Sequence, residues 1–347
     1  MAGLFDLPYS DTCSNAGLLA PWMDGTTGAG PRCTRLLLPA TSRLRLLLRQ
    51  GRNVDVNAAA HDGTTALILA ASSGDAAAVR ELIAGGADPN LGTLDCLRPL
   101  QAAVKEEDEG CLEVVKVLLE TGAEAKGRYW NGWTALHEAA CKGAPETAKL
   151  LLQAGADAGA VEDEGLTPVY VACLYGHAHV LQVLLSAAEN PEELVNLGTK
   201  CGTSPVYAAA QKGSTQCLRL LLDHGVEVNR LTEDGIHPIA APLPHNYWRS
   251  LQLLLPKTDL QCVADADVDP VYICAEREAV DCLRLLVEAG LPLDRVTPTP
   301  SNCITSYLYL SPLLVWQVGT PLARAVANEH LDNVHLLLQS GAKAVFR

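Results

Sequence analysis

Three groups of side chains in this 347-residue chain have types and spacings that could do chemistry. His137 and Glu138 stand close to Cys141, and an imidazole near a thiol suggests a Cys-His nucleophile, in which the ring draws off the thiol proton. Cys173, His177 and His179 make the tightest cluster of metal-ligand types. The third group is the segment Lys126-Gly127-Arg128-Tyr129-Trp130-Asn131-Gly132-Trp133, which packs three aromatics and two cations into eight residues. Tyr, Trp and Arg dominate the energetics of protein interfaces, because they bury much area at low entropic cost. No G-x-x-x-x-G-K-[ST] loop occurs, so no phosphate cradle of that kind is indicated.

Which of these readings survives depends on the elements that hold the residues. A segment of the form G-x-[TS]-[PA]-[LV]-[HY]-x-A-A recurs along the chain, most cleanly from Gly132 to Ala140. Its Thr-like anchors are Thr65, Arg98, Thr134, Thr167, Ser204, His237, Asp269 and Thr320, spaced by 33, 36, 33, 37, 33, 32 and 51 residues. A period of 33 with T-P-L-H-x-A is the signature of ankyrin repeats, so the chain resembles that family. The fold expected is an all-α repeat solenoid of eight to nine repeats, each a helix-turn-helix followed by a β-hairpin finger. Gly143, Gly176 and Gly213 should end the first helix of their copies, and the leucine pairs at 118–119, 151–152, 184–185 and 221–222 should form the core of the second. One repeat cannot bury its apolar face alone, so function belongs to a surface that stacked repeats share, normally the concave one.

That register changes the meaning of the first two groups. His137 is the structural His of the repeat turn, and the register supplies neither a third orienting group nor an oxyanion site, so no catalytic residue is assigned. Gly176-His177 is an ordinary pair of the repeat and Cys173 fills an Ala position, so neither metal nor cofactor is expected. None of the twelve cysteines forms a C-x-x-C pair. Cys217 and Cys282 occupy positions that are Val114 and Ala78 in sister copies, and so read as core thiols of a reduced, cytoplasmic or nuclear protein. The aromatic finger keeps its functional reading. Arg128, Tyr129, Trp130 and Trp133 are the expected partner contacts, together with Lys142, Tyr175, Gln211 and Lys212 in the variable slots before the helix-ending glycines. For Trp133 the plainer alternative is packing against the neighbouring finger, and for Tyr129 cover over a loop.

A net charge of −14 argues against a nucleic-acid binder and for a protein partner with a basic patch. Residues 1–20 lack the pattern of a secretory signal, and no run of about 18 apolar residues suggests a membrane span.

The phrases Tyr9-Ser10-Asp11-Thr12-Cys13-Ser14 and Gly51-Arg52-Asn53-Val54-Asp55-Val56, with the turns Ser204-Pro205-Val206-Tyr207 and Asp269-Pro270-Val271-Tyr272, resemble the ankyrin repeat and SOCS box family over most of residues 9 to 290. The resemblance implies a substrate receptor of a ubiquitin ligase, whose ankyrin repeats hold the target and whose SOCS box recruits elongin B and C with cullin 5. An ankyrin adaptor or inhibitor with no ligase link is the alternative. The chain departs from that family after its last copy, where neither an [ST]-L-x-x-x-C helix nor a Leu-Pro-rich cullin motif follows. Pro242-Leu243-Pro244 is a superficial match inside copy six and should break that copy's first helix.

The expected organisation is an irregular N-terminal capping repeat with an insertion over 1–52, an array over 53–291, a non-repeat insertion over 292–318, and a last, uncapped repeat over 319–347. Leu336 to Leu338 would then form an uncovered apolar end, as in a chain truncated before its SOCS box. Lys105 to Glu109 should be a solvated loop lengthening copy two.

Overall fold

In the computed structural model, residues 55–105, 109–266, 268–296 and 319–343 are described. The expected N-terminal cap, all but the edges of the 292–318 insertion, and the middle of the acidic loop at 106–108 lie outside these residues. The described residues form two compact units, one within 55–172 and 179–194, the other within 173–178 and 195–343.

Each of the eight anchors immediately precedes a helical turn. Helices begin at Ala66, Pro99, Ala135, Pro168, Pro205, Pro270 and Pro321, and a 3-10 turn begins at Pro238. The residue type at the anchor explains the start, because a short polar side chain there accepts a hydrogen bond from an otherwise unpartnered N–H of the first turn. Thr167 accepts from the N–H of Tyr170 at 3.1 Å, and Asp269 from that of Val271 at 2.9 Å. Proline at the following position lacks the N–H that would be unpartnered there and has its φ preset for a helix. Gly143, Gly176 and Gly213 close their helices with φ between 70° and 79°. In copies six to eight the same left-handed conformation is carried by Asn246, Glu278 and Glu329, where no glycine marks it.

The second helices lie at Ala76–Ala84, Glu109–Glu120, Pro145–Gln153, Ala178–Ala187, Thr215–Asp223, Trp248–Leu254, Val280–Glu288 and Leu331–Gln339. Three of their four leucine pairs are asymmetric, and in the fourth Leu185 is buried with Leu184. Leu118, Leu151, Leu184 and Leu221 are all fully buried, whereas Leu119, Leu152 and Leu222 are only half-buried. In the first helices Ala139, Ala140, Ala209 and Ala210 are fully buried, where a larger side chain would hold the neighbouring helix off. Cys217 and Cys282 are buried thiols of this core. Among the described residues the fingers make isolated antiparallel bridges, Ala59 with Thr65 and Arg128 with Thr134, in place of regular strands.

Neighbouring fingers are joined through their backbones. The N–H of Leu94 donates to Asp62 O at 2.9 Å, that of Asp163 to Asn131 O at 2.8 Å, and that of Glu233 to Cys201 O at 3.1 Å. At the finger base Asn90 donates to Gly122 O and accepts from the N–H of Glu124, and Asn196 is placed in the same way between Gly225 and Glu227. The extra residues between copies four and five form a short helix, Pro191–Asn196, which the 33-residue period does not predict. Copy six has two 3-10 turns, Pro238–Ala240 and Leu243–His245, where a first helix would stand, as its prolines require.

The last copy docks on the helix Pro270–Arg277 by polar side chains. Arg324 pairs with Glu276 at 2.5 Å with both side chains at most 10% exposed, and Asn333, His330 and Asn328 bond the carbonyls of Cys274, Ala275 and Glu276. Leu337 is buried, while Leu338 is 49% exposed. Removing one partner of a buried pair leaves the other charge without compensation, which costs about 3–5 kcal/mol. Glu276→Ala should therefore strip hydrogen-exchange protection from residues 319–343 before the rest of the chain. Uniform loss of protection, or none, would refute the role given to this pair.

Candidate partner-binding finger

The aromatic finger hangs from copy two and closes on copy three. Arg98 stands where other copies carry a capping residue, and it forms an ion pair with Glu124 at 2.6 Å. Gln101, in the position of the repeat His, is buried and donates from Nε2 to Gly127 O at 3.0 Å. His137 makes the equivalent bond one repeat later, from Nε2 to Leu166 O at 3.0 Å. Its Nδ1 accepts from the N–H of Thr134 at 3.2 Å, which fixes the tautomer with the proton on Nε2. Both ring nitrogens are thus engaged by the fold, as the structural reading of this residue expects.

The tip turns through Asn131 and Gly132, both at positive φ, and the N–H of Tyr129 donates to Trp133 O at 3.0 Å. The decisive contact is a shared acceptor. Tyr129 Oη and Trp133 Nε1 both donate to Glu138 Oε2, at 3.2 and 3.0 Å, so one carboxylate on the helix Ala135–Lys142 pins two finger aromatics. Trp133 is 6% exposed, with its ring centroid 4.9 Å from that of His137. It supports the finger from inside, packed on the first helix of its own repeat where the expected alternative is the neighbouring finger, and its burial leaves little surface for a partner. Tyr129 is half-buried and Arg128 is exposed. Burial, reinforced by the charge and hydrogen bond of Glu138, pushes the Tyr129 phenol well above its ordinary pKa and keeps it a donor. The side chain of Trp130 lies outside the described residues; its backbone opens the tip turn. A cavity of 160 Å³ beside the finger is lined by Lys126, Arg128 and Asp157 among others.

The other expected contacts fall in different places. Lys142 is half-buried in the last turn of the helix that carries Glu138. Tyr175, Gln211 and Lys212 belong to the second unit, where the Tyr175 and His177 rings are stacked 6.3 Å apart and Lys212 is exposed. Cys173, in the metal-like cluster, is fully buried with its thiol against Cys217, while His179 is exposed. The motif reading named Glu138 only beside a candidate nucleophile and missed its role as acceptor for the two aromatics, whose only signal is its place one residue after the repeat His.

Comparison with known proteins agrees with this architecture. A family model for ankyrin repeats matches in three copies, over residues 39–129, 100–193 and 136–232, more than half of the chain. The chain belongs to the ankyrin repeat family. A stretch of 91 residues, 26% of the chain, is 31% identical to the Target of rapamycin complex 2 subunit AVO2 of Saccharomyces cerevisiae (strain ATCC 204508 / S288c). That match spans 21% of the yeast protein, about a fifth of its length. Ankyrin repeats bind protein partners. No helix among the described residues is long and apolar enough to cross a membrane.

Burial lowers the pKa of His137 to about 4, below its ordinary 6.5. The folded state therefore binds fewer protons than the unfolded state between those values. The stability contributed by the neutral ring is complete above about pH 6.5 and declines as pH falls toward 4, by roughly 3 kcal/mol in all. Asp269, raised by burial to about 6, works in the opposite sense over part of that range. His137→Gln retains a donor for Leu166 O, as Gln101 does for Gly127 O, and removes the titration. Urea unfolding at pH 7 and 4.5 should show a smaller loss in this variant than in the wild type, and equal losses would contradict the assignment.

Proposed function

We propose that the chain captures a protein partner with the copy-three finger, in the manner of the substrate-recognition subunit of an elongin-cullin-SOCS box type ubiquitin ligase. The observation that carries the capture step is the exposed Arg128 beside Tyr129, whose orientation is fixed by Glu138 from within the same repeat. A pinned aromatic next to a free-standing cation loses little freedom on binding, which is the property of an interface hot spot. Trp130 adjoins them in sequence, and Lys142, Tyr175, Gln211 and Lys212 supply contacts from the variable slots. The net charge of −14 favours a partner with a basic patch, met in a reducing cytoplasmic or nuclear setting.

The ligase assignment rests on the sequence resemblance over residues 9 to 290. An adaptor without a ligase link is the second reading, favoured by the similarity to a yeast protein that is itself a subunit of a complex. The recruiting motif has no match in this sequence, and we propose target capture and elongin recruitment as separable functions.

Proximity labelling in cells should lose its principal partners when Arg128 and Tyr129 are both changed to Ala, with unfolding temperature altered by no more than a few degrees. A partner list that survives the double substitution would exclude the finger as the capture site. Elongin B and C should not copurify with the 347-residue chain, and their recovery would overturn the separation of the two functions.

A further inference from the structure

We propose that the turn from His245 to Arg249, flanked by Lys212 and Arg277, is a second docking surface that takes an acidic, extended segment of a partner protein. The inference rests on the protein-binding reading of the array but not on the finger.

The surface exists because copy six cannot form its first helix. Pro242 and Pro244 divert the chain into two 3-10 turns, and the next residue but one, Asn246, takes φ 54°. The Asn246 side chain is held at both ends, donating to Asp281 at 3.1 Å and accepting from the N–H of Cys282 at 3.1 Å. The N–H of Tyr247 donates to Pro242 O at 3.0 Å and that of Trp248 to Asn246 O at 2.8 Å. A turn fixed in this way presents two large aromatics, Tyr247 and Trp248, each 37% exposed.

A cation and an imidazole flank these rings. The Arg249 guanidinium lies 5.1 Å from the centroid of the Trp248 ring, and the His245 ring is 5.4 Å from that of Tyr247. Tyr247 rests on Gly213, where a Cβ would come within 2.7 Å of the ring, and so stands next to Lys212. The charge of Arg277 reaches His245 and adds to burial in lowering its pKa. On a chain of net charge −14 this stretch reverses the sign. Lys212, Arg249 and Arg277 stand against Glu278 and Asp281, and the Asp281 carboxylate is already engaged by Asn246.

The chemistry that complements this surface is carboxylate together with apolar or aromatic groups. Arginine receives a carboxylate through paired N–H donors, and the exposed ring faces supply contact area at low entropic cost. Lys212, the 245–249 turn and Arg277 come from three consecutive repeats, and an extended segment reaches across them in the fewest residues.

Fluorescence anisotropy of the whole chain with a fluorescein-labelled Glu/Tyr-rich peptide tests this, with a Lys/Tyr-rich peptide and oligo(U) RNA as comparison probes. The acidic peptide should bind best and weaken as salt rises. Trp248→Ala and Arg249→Glu should each reduce its affinity on the order of tenfold, while Arg80→Ala, at an exposed arginine of copy one, leaves it unchanged. Arg249 is exposed, so Arg249→Glu keeps the test informative if Trp248→Ala fails to fold. Equal binding of the basic peptide, tighter binding of RNA, or unchanged affinity in Arg249→Glu would overturn the proposal. Failure of the finger reads out elsewhere, in the partner list of the Arg128 and Tyr129 variant, so the two readings fall independently.

Discussion

In copies two and three the array depends on a bond made between repeats by the side chain three residues after the anchor. His137 and Gln101, each buried in a first helix, donate to a carbonyl of the finger that leads into the next copy. The donor sits in one repeat and the acceptor is supplied by the approach to another. Without its neighbour each of these two repeats would leave a polar group buried and unpaired, which costs about 1–3 kcal/mol. That penalty, added to the apolar face each repeat would expose, makes the repeats mutually dependent. Finger-to-finger backbone bonds and the asparagines at the finger bases repeat the same logic at other levels of the stack.

This constraint gives the binding surface its character. A finger fixed at its base by Gln101 and at its aromatics by Glu138 can carry Tyr129 as a pre-oriented group with Arg128 exposed beside it. In copy six the same scaffold tolerates the loss of a first helix, because Asn246 reaches across to Cys282 and Asp281. Both departures from the repeat pattern raise the local content of aromatic and cationic side chains, and both are held by carboxylate or amide side chains acting as props.

Much of the fold could be read from spacing because the determinants are local. Thr134 caps the helix that begins one residue later, and Gly213 must accept positive φ wherever the chain leaves a helix in that direction. The prolines of copy six announced a broken helix for an equally local reason. What could not be read depends on contacts across many residues. Nothing in the period marks Glu138 as the acceptor for Tyr129 and Trp133, or buries one of those aromatics while half-exposing the other. Trp248 occupies the first turn of a second helix, and its exposure follows from the turn before it. Glu278 and Glu329 close helices in a conformation that their residue type does not announce.

The docking of the last copy on the helix Pro270–Arg277 has a consequence for chain length. The anchors Asp269 and Thr320 are 51 residues apart, against 33 in a regular step, yet Arg324, His330 and Asn333 still find their partners on the preceding helix. The entropy of closing a connection grows only with the logarithm of its length, about 0.6 kcal/mol for each doubling. Counted from helix end to helix start, the connection is 32 residues after Glu288 against 14 after Gln153, a little over one doubling, which still costs less than leaving one buried polar group unpaired. At this boundary the array is free to gain or shed connecting residues while its stacking contacts stay the same, so length there can drift under almost no selective pressure from stability.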